Sequence, residues 1–362
     1  MRTRIYIGTY TEPLVFGIGE VVPGRGKGIH ILELDNVTGT LREELPPVDT
    51  VNPSFLAIHP NGKFLYAVNE LKEYEGADGG SVSAFAIEPD GGLRYLNTKP
   101  TGGQDPCHLC LDKNGRHLLI ANYSSGSVCV YKTLPDGSLG ECAGIVRHTG
   151  SGPVTERQAG AHAHGVIFDP NFNFLLVPDL GSDKVMTYKL DSASGRLSPA
   201  LEPWFSCKPG AGPRSGEFHP TLPVFYCINE LSSSVTVVRY DFESSGMEEL
   251  QTISSLPPGC GIDNSCAALH VSSDGLFVYG SNRGHDSLMV YKVAQNDGTL
   301  EQLDSIPADG RTPRYFALTG SFVLVGNQDT DSIAVFTRDS DSGMLTQVSR
   351  YNTPMPVCIL PV

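Results

Sequence analysis

Long apolar runs are missing from this sequence of 362 residues. No stretch approaches the 18 or so consecutive apolar residues that a membrane-spanning helix needs, so the sequence predicts no membrane association. Charged residues make up only 18% of the chain and tryptophan occurs once, whereas glycine occurs 40 times and proline 26 times. This composition is not typical of helical proteins. It favours many short strands joined by turns, a class in which one soluble domain reaches this length.

Positive charge is also scarce. The 26 Lys and Arg residues face 40 Asp and Glu residues, which gives a net charge of −14. Because a polyanion would be repelled and no basic stripe offsets the balance, nucleic-acid binding is disfavoured. The HExxH, G-x-S-x-G and Walker patterns are absent as well. Covalent serine catalysis and nucleotide triphosphate chemistry therefore have no support in the sequence.

The cysteines form no framework. There are nine, an odd number, and they are scattered along the chain. Cys107 and Cys110 have the CxxC spacing, but on a strand they would face opposite ways, so we interpret them as core residues. The apolar stretch at the N-terminus has about five residues, too few for a signal segment. Reduced thiols and a cytoplasmic location are the expectation.

A turn repeats along the chain with a mean spacing of about 51 residues. In each copy Asp, Ser or Thr precedes a glycine, usually with Leu two positions later. The glycines are Gly39, Gly91, Gly137, Gly195, Gly246, Gly298 and Gly343. Strand-like runs precede every turn, and adding the segment after it gives four strands per unit, here called A to D. Seven such units predict an all-β, seven-bladed β-propeller with four antiparallel strands per blade.

The chain ends are offset from the repeat in a way that predicts a closed ring. The chain starts with a B strand at 4–8, and residues 356–360 resemble an A strand with nothing after it. The last strand would therefore join the N-terminal blade, whereas an open solenoid would need capping ends. We predict a single domain over 1–362 with blades at 4–50 plus 356–362, 51–101, 104–149, 160–206, 212–256, 263–308 and 312–352.

One rim of this propeller gathers most of the candidate functional residues. Because strands alternate in direction, the start of each A strand and the end of each B strand lie on the same rim. Residues opening A strands include His164, Arg214 and Arg314, and those just past B strands include Glu70, Tyr123, Glu230, Arg283 and Gln328. Arginine suits fork-like recognition of a carboxylate or phosphate, and a neighbouring Glu or His can act as a base. The alternative is a purely structural network of ion pairs.

The most specific local pattern is Ala161-His162-Ala163-His164-Gly165. Residues i and i+2 of a strand face the same way, so both imidazoles are predicted to address one site. They would serve as a general base, as a donor to a developing oxyanion, or as a metal pair completed by Glu230. Arg214 and Arg283 nearby would repel a cation, so we expect no metal. A hydrogen-bonding role at a blade junction stays open.

Several of these stretches together resemble the lactonase family of seven-bladed β-propellers, which includes the cycloisomerase-type 6-phosphogluconolactonases. The resemblance covers essentially the whole chain. Its most specific stretches are Arg157-Gln158 with His162-Ala163-His164, Gly212-Pro213-Arg214 with Phe218-His219-Pro220, Asn229-Glu230-Leu231, and Ser281-Asn282-Arg283-Gly284. Two features depart from the family: Ser215 stands where His often follows the Pro-Arg pair, and the excursion at 14–27 is longer than in compact members.

The resemblance implies hydrolysis of a sugar lactone without a cofactor. It carries catalytic roles onto His164, Arg214, Glu230 and Arg283, which the rim argument also reaches. We predict substrate-binding roles for His162, Arg314, Gln158, Glu70, Tyr123 and Gln328. The expected partner is a small anionic lactone, most of all 6-phospho-D-glucono-1,5-lactone, and the expected state is a monomer or weak homo-oligomer. The base is predicted to be His164 or Glu230, with His162 orienting its neighbour.

Three alternatives remain at this point. A fungal branch of the family interconverts a carboxymuconate and its lactone, and a lactonising cycloisomerase of this kind, related to carboxy-cis,cis-muconate cyclase, would use the same arginines. A lactonase for an unphosphorylated sugar acid is the second alternative. The third is a non-catalytic propeller scaffold, which would be expected to carry apolar patches on a rim that here is polar and charged.

Overall fold

The computed structural model describes residues 2–15, 19 and 21–362. Residue 1 of the predicted domain, and residues 16–18 and 20 of the 14–27 excursion, lie outside the described residues. Seven four-stranded antiparallel sheets follow one another along the chain, each in the order A, B, C, D. The A strands of blades 5, 6, 7, 1, 2 and 3 contact one another in that order. Blade 4 completes the ring, because its B strand contacts the A strand of blade 5 and a shared hydrophobic cluster joins it to blade 3. The predicted seven-bladed propeller is confirmed.

The strands of blades 1 to 4, in the order A to D, have these bounds. Blade 1 has Pro356–Pro361, Arg2–Thr9, Ile29–Asp35 and Leu41–Val48; blade 2 has Pro53–Ile58, Phe64–Asn69, Ser81–Ile87 and Leu93–Pro100. Blade 3 has Pro106–Leu111, His117–Asn122, Ser127–Thr133 and Leu139–Arg147; blade 4 has Ile167–Phe168, Leu175–Asp179, Lys184–Leu190 and Leu197–Ser206.

Blades 5 to 7 and the minor elements complete the described chain. Blade 5 has Pro213–Phe218, Val224–Asn229, Ser234–Tyr240 and Met247–Ser254; blade 6 has Ser265–Val271, Phe277–Arg283, Ser287–Val293 and Leu300–Pro307. Blade 7 has Pro313–Thr319, Phe322–Asn327, Ser332–Arg338 and Leu345–Asn352. Two small hairpins pair Leu14–Val15 with Val21–Val22 and Glu73–Tyr74 with Ala77–Asp78; the helices are α Thr155–Gln158 and 3₁₀ Gln328–Thr330.

Ring closure is made by the two ends of the chain. Strand A of blade 1 pairs antiparallel with strand B of the same blade, with Ile5 opposite Pro361 and Ile7 opposite Ile359. This is the closure that the offset of the repeat predicts. No helix among the described residues is long and apolar enough to cross a membrane.

The hydrophobic core is divided among the seven junctions between blades. One cluster, for example, joins Tyr226 and Val237 of blade 5 to Leu269 and Met289 of blade 6, all at most 2% exposed. Comparable clusters fill the other six junctions. Because each sheet packs both faces against its neighbours, B strands such as His117–Asn122 and Val224–Asn229 are buried along their whole length, whereas the outer D strands are partly exposed.

The repeating glycine turn has a packing reason. Gly137 has φ +83°, and a Cβ there would lie 2.1 Å from the Phe64 ring of the preceding blade. The carbonyl of Gly137 accepts a hydrogen bond of 3.0 Å from the Tyr66 hydroxyl. Similar Tyr-to-turn bonds join blades 1 and 2, 5 and 6, and 6 and 7. In blade 5 the left-handed residue is Ser245 (φ 65°) rather than the predicted Gly246.

Blade 4 departs from the prediction in its innermost strand. The sequence predicts an A strand over 162–170, but only Ile167–Phe168 is a regular strand, and Ala163 adds an isolated bridge to Asp179. The Asp179 carboxylate accepts hydrogen bonds from the backbone N–H groups of His162 and Ser182. A side chain thus replaces part of the backbone ladder, and the His162-Ala163-His164 segment is an extended loop.

Candidate active site

A cavity of about 400 Å³ lies on the rim where A strands begin and B strands end. Seven of the ten predicted site residues line it: Glu70, Tyr123, His164, Glu230, Arg283, Arg314 and Gln328. A smaller chamber of about 100 Å³ adjoins it and shares Glu70, Cys107, His164 and Arg314 with it. Arg214 lines this chamber. The ring therefore brings residues from six blades into one continuous site.

Glu230 is the centre of the most highly charged part of the cavity. It follows strand B of blade 5, and its backbone N–H donates to the Gly212 carbonyl at 2.7 Å. Its Oε1 atom lies 2.6 Å from Nη2 of Arg157, and its Oε2 atom lies 2.9 Å from both Nε of Arg214 and Nη2 of Arg283. One buried carboxylate therefore holds three guanidinium groups. We call these four residues the Glu230 cluster.

The arginines set the charge state of Glu230. Burial alone would raise the pKa of this carboxyl, but Arg283, Arg157 and Arg214 outweigh burial and hold its pKa well below the usual range. Burial, with repulsion from Arg283, lowers the pKa of Arg214 to about 10. Both groups are therefore ionised at neutral pH. Such buried charge is tolerated only because each member is paired.

Two arginines of the cluster have further polar contacts. Arg214 donates through Nη1 to the Ala267 carbonyl, and Arg283 donates through Nη2 to the Cys266 carbonyl at 2.9 Å. Nε of Arg283 is buried and has no hydrogen-bond partner among the described residues. A donor of this kind beside a cavity is suited to an anionic guest.

Arg157 is the site residue that the sequence argument misses. It lies in the helix Thr155–Gln158, within the connection between blades 3 and 4. Its Nη2 atom, besides the contact to Glu230, donates to the Tyr123 hydroxyl at 3.3 Å. The repeat places only strand ends on the rim, so it gives no position for a residue in an inter-blade loop. The Arg157-Gln158 pair of the family resemblance is the signal that identifies it.

His164 lies between the Glu230 cluster and the rest of the cavity. It is 8% exposed, and its ring and the Tyr123 ring form a T-shaped pair with centroids 5.3 Å apart. Its Nδ1 atom lies 3.7 Å from Sγ of Cys107. Burial and the charge of Arg214 lower the pKa of His164 well below its usual range. Its imidazole is therefore neutral at neutral pH, able to donate through one nitrogen and accept through the other.

Glu70 forms a second acidic centre in the same cavity. It follows strand B of blade 2 and is 4% exposed. Oε2 accepts a hydrogen bond of 2.9 Å from the hydroxyl of Tyr10, and Oε1 lies 4.0 Å from Nη2 of Arg314. The Arg314 guanidinium in turn lies over the Tyr10 ring, 5.2 Å from its centroid. We call Glu70, Tyr10 and Arg314 the Glu70 cluster.

Comparison with known proteins identifies the family. The sequence model described as "Lactonase, 7-bladed beta-propeller" matches residues 4–361. The chain belongs to this family. It is similar to the 6-phosphogluconolactonase of Bacillus subtilis, with 36% identity over 359 residues covering 98% of this chain and 97% of that one. A 6-phosphogluconolactonase of Formosa agariphila is 33% identical over 332 residues, covering 89% and 92%.

Solved structures agree with the sequence comparison. The crystal structure of a putative 6-phosphogluconolactonase from Bacteroides fragilis superposes with a TM-score of 0.90 at 32% identity, covering 100% of this chain and 98% of that one. The periplasmic gluconolactonase PpgL of Pseudomonas aeruginosa superposes with a TM-score of 0.91 at 31% identity, covering 100% and 99%. The predicted family is confirmed, and the chain is an enzyme of the lactonase kind.

Two predicted residues of this lactonase-family chain do not line the cavity. Gln158 is fully buried, and its amide donates to the Leu180 carbonyl at 2.8 Å and to Asp183 at 2.7 Å. A substrate-binding role for Gln158 does not fit this placement; its contacts fix the loop that carries Arg157. The His162 ring stacks on the Tyr123 ring with 4.6 Å between the ring centroids, and Nδ1 of His162 lies 3.0 Å from the Tyr123 carbonyl oxygen.

The two histidines therefore do not address one site as a pair. Both rings contact Tyr123 but in different ways: the His162 ring stacks on the Tyr123 ring, and the His164 ring is in a T-shaped arrangement with it. His162 supports the tyrosine that lines the cavity, and only His164 lines the cavity itself. Among the described residues, no group of three or more His, Cys, Asp or Glu side chains is arranged to hold a metal ion.

Cys107 also differs from its prediction in one respect. It is buried, as a core cysteine should be, but its side chain lines both the cavity and the adjoining chamber. Burial raises its pKa well above the usual range, so it is a neutral thiol there. Cys110, its CxxC neighbour, is partly buried, and all nine cysteines are free.

Proposed function

We propose that this protein hydrolyses the ester bond of a small anionic sugar lactone, with 6-phospho-D-glucono-1,5-lactone as the leading candidate. The observation that carries the proposal is the concentration of Arg157, Arg214, Arg283 and Arg314 at one cavity in a chain of net charge −14. Membership of the lactonase family supports the reaction type. The names of the relatives from Bacillus subtilis and Formosa agariphila support the substrate.

The anionic end of the substrate is proposed to bind beside Arg283. Its Nε is a buried donor whose hydrogen bond is unmade among the described residues, and Ser265 and Thr312 line the same part of the cavity. Planar guanidinium forks match the oxygen atoms of carboxylates and phosphates. Glu230 fixes the three arginines in place, so little reorganisation is needed when the anion enters.

Ester hydrolysis places negative charge on the lactone carbonyl oxygen when water attacks. N–H groups of Arg214 and the neutral imidazole of His164 are proposed to stabilise this oxyanion, since both border the adjoining chamber. Glu230, the other predicted candidate for the base, has its oxygens engaged by three arginines and is stabilised as the anion. We therefore propose an organising role for Glu230.

A second candidate substrate is an unphosphorylated gluconolactone. Asp329 also lines the cavity, where its charge would oppose a doubly charged phosphate. The Pseudomonas relative of similar structure is a gluconolactonase by name. The cycloisomerase alternative uses the same arginines, but the relatives compared above carry lactonase names.

The test compares the hydrolysis of phosphorylated and unphosphorylated gluconolactone above the spontaneous rate, with and without EDTA. We expect EDTA-resistant turnover, a higher kcat/KM for the phosphorylated lactone, and a rise in KM of roughly 10-fold or more in Arg283→Ala. Arg94→Ala, at an exposed ion pair with Glu88, is the matched control and should be unchanged. No turnover of either lactone would refute the function, and loss of activity with EDTA would refute the metal-free site.

Location and assembly follow the sequence and stay predictions. We propose a cytoplasmic enzyme, monomeric or weakly associated, that needs no cofactor. The name of PpgL places that relative in the periplasm, so fractionation of the source cells is the appropriate test of the compartment.

A further inference from the structure

Glu70 has a place in the site that the arginine-based mechanism does not use. Its carboxylate lines both the main cavity and the adjoining chamber, together with His164 and Arg314. It therefore lies at the junction of the main cavity and the adjoining chamber. It comes from blade 2, whereas the Glu230 cluster comes from blades 5 and 6 and the loop before blade 4.

The two carboxylates differ in how their oxygens are engaged. Glu230 is in contact with three guanidinium groups at 2.6 to 2.9 Å. Glu70 accepts a hydrogen bond from the Tyr10 hydroxyl on Oε2, the Ser54 hydroxyl also stabilises its ionised form, and Nη2 of Arg314 lies 4.0 Å from Oε1. Because an ionised carboxylate has about four acceptor positions, Glu70 keeps capacity for a water molecule in the cavity.

We propose that Glu70 is the general base of the lactonase reaction, with Tyr10 and Arg314 as the positioning residues that orient its carboxylate. This inference rests on the proposed function. As the water oxygen bonds to the lactone carbonyl carbon, the C=O π pair moves to the carbonyl oxygen and one water proton moves to Glu70. Collapse of the tetrahedral intermediate breaks the bond from the carbonyl carbon to the ring oxygen. Glu70 returns the proton to that oxygen, so water is consumed and Glu70 is regenerated.

The surroundings of Glu70 also suit proton transfer. Burial raises the pKa of its carboxyl, and Arg314, Ser54 and Tyr10 offset this, while the charge of Asp105 adds to it. Asp105 is itself paired with Lys72 at 2.5 Å. A general base works best when its pKa lies near the working pH. The pKa values of Glu230 and His164 are both lowered, which makes them the weaker bases.

Two further titratable groups of the cavity, Cys107 and Arg314, lie close to Glu70. Cys107, beside Glu70, is a neutral thiol because burial raises its pKa well above the usual range. Arg314 is the cation that faces Glu70, and its side chain is 11% exposed against 5% for that of Glu70. Ionisation of Glu70 is therefore governed chiefly by burial and Arg314, with smaller contributions from Ser54, Asp105 and the Tyr10 hydroxyl. The acid limb of the pH profile of kcat/KM should consequently lie above the usual pKa of a glutamate.

The experiment measures kcat, KM and their pH dependence for wild type, Glu70→Gln, Glu70→Asp and Glu70→Ala, with folding checked by circular dichroism and thermal unfolding. Glu70→Gln should lower kcat by about 10²- to 10⁴-fold with a smaller change in KM. The acid limb should disappear with Gln and persist with Asp. Formate should partly restore Glu70→Ala, increasingly as pH rises through the pKa of formic acid. Glu73→Gln, at an exposed residue of the nearby hairpin, is the matched control.

The outcomes separate this proposal from the function on which it rests. A wild-type protein that turns over no lactone overturns both. An active wild type with Glu70→Gln retaining more than half of kcat overturns the role of Glu70 alone. A rise in KM at unchanged kcat also overturns it, because that result assigns Glu70 to substrate binding. An acid limb that survives in Glu70→Gln overturns it as well, because another group must then be the base that titrates.

Discussion

Glu70 and Glu230 occupy the same position of the repeat in two different blades. Each is the middle residue of an Asn-Glu-Leu tripeptide that follows a B strand, and each is 4% exposed. Their backbone N–H groups donate to equivalent carbonyls, those of Asn52 and Gly212. Yet the pKa of Glu230 is lowered by Arg283, Arg157 and Arg214 against the effect of burial, while burial raises the pKa of Glu70. Equal burial in an equal backbone setting therefore does not decide the direction of the pKa shift; the neighbouring cations do.

The largest expected effect comes from removing the charge at the arginine-rich end. Glu230→Gln leaves Arg157, Arg214 and Arg283 close together without their counter-charge, so kcat/KM should fall by about 10²- to 10³-fold. The free energy of unfolding should fall by about 3–5 kcal/mol, since a buried ion pair is broken from one side. Steady-state kinetics and urea unfolding measure the two quantities.

A matched surface pair provides the control for that variant. Glu248→Gln removes an exposed partner of Arg239 in the same blade and should cost at most about 1 kcal/mol. If Glu230→Gln were as mild as Glu248→Gln, the contrast between the two carboxylates would have no functional meaning.

Arg157 should produce the next largest effect. Arg157→Ala removes the shortest ion pair of the Glu230 cluster and the contact to Tyr123, so kcat/KM should fall about 10- to 100-fold. Arg147→Ala, at the exposed last residue of strand D of blade 3, should leave the kinetics unchanged. An unaffected Arg157→Ala enzyme would mean that two arginines suffice for the Glu230 cluster.

Tyr10→Phe should have a smaller effect on the kinetics, through the Glu70 carboxylate. The Tyr10 hydroxyl stabilises the ionised form of Glu70 and so lowers the pKa of that carboxyl. Without it the pKa rises, the acid limb of kcat/KM moves to higher pH, and kcat at neutral pH falls by roughly 3- to 10-fold. The exposed Tyr95→Phe is the control. A limb that stays in place, or moves to lower pH, contradicts the coupling between Tyr10 and Glu70.

The smallest expected effect is an opposite dependence of stability on pH. For Glu70, whose folded-state pKa is raised, the contribution to stability is present below the unfolded-state pKa and is lost as pH rises through the folded-state pKa. For Glu230, whose folded-state pKa is lowered, the contribution is present above the unfolded-state pKa and is lost as pH falls. One pKa unit corresponds to about 1.4 kcal/mol.

Urea unfolding between pH 3.5 and pH 8 tests these signs. The difference in unfolding free energy between wild type and Glu70→Gln should decrease with pH, and that between wild type and Glu230→Gln should increase. Parallel curves for the two variants would show that the carboxylates have equivalent surroundings in solution.

The fold is largely predictable from the sequence because the physics of each blade is local and repeated. A left-handed residue in the turn after strand C recurs every 50 residues or so and is a glycine in six of the seven blades. At four junctions a Tyr hydroxyl also reaches the next turn. The exception, the A strand of blade 4, shows the limit of this argument. There the Asp179 side chain takes over hydrogen bonds that a strand would make, and no periodic pattern predicts such a substitution.

The site is predictable only where it lies on strand ends. Glu230, Arg283 and Arg314 lie at strand ends, so strand direction predicts them on one rim, and they line one cavity. His164 lines the same cavity although the strand predicted for it is a loop. The chemical roles of all four stay predictions. Arg157 comes from a loop whose path depends on contacts of Gln158 with Leu180 and Asp183, which lie 22 and 25 residues further along the chain. The pairing of Glu230 with Arg157, Arg214 and Arg283, and of Glu70 with Arg314, likewise depends on how the blades are arranged in the ring.

The position of Tyr10 depends on the contact between the two ends of the chain. Tyr10 follows the B strand that pairs with the last strand, and its backbone N–H donates to the Met355 carbonyl at 3.4 Å. The hydrogen-bond donor of Glu70 is thus held in place by the contact that joins the most distant parts of the chain. Strand A of blade 1 and the Tyr10 hydroxyl therefore belong to one connected set of contacts, which links the joining of the chain ends to the hydrogen bonding of Glu70.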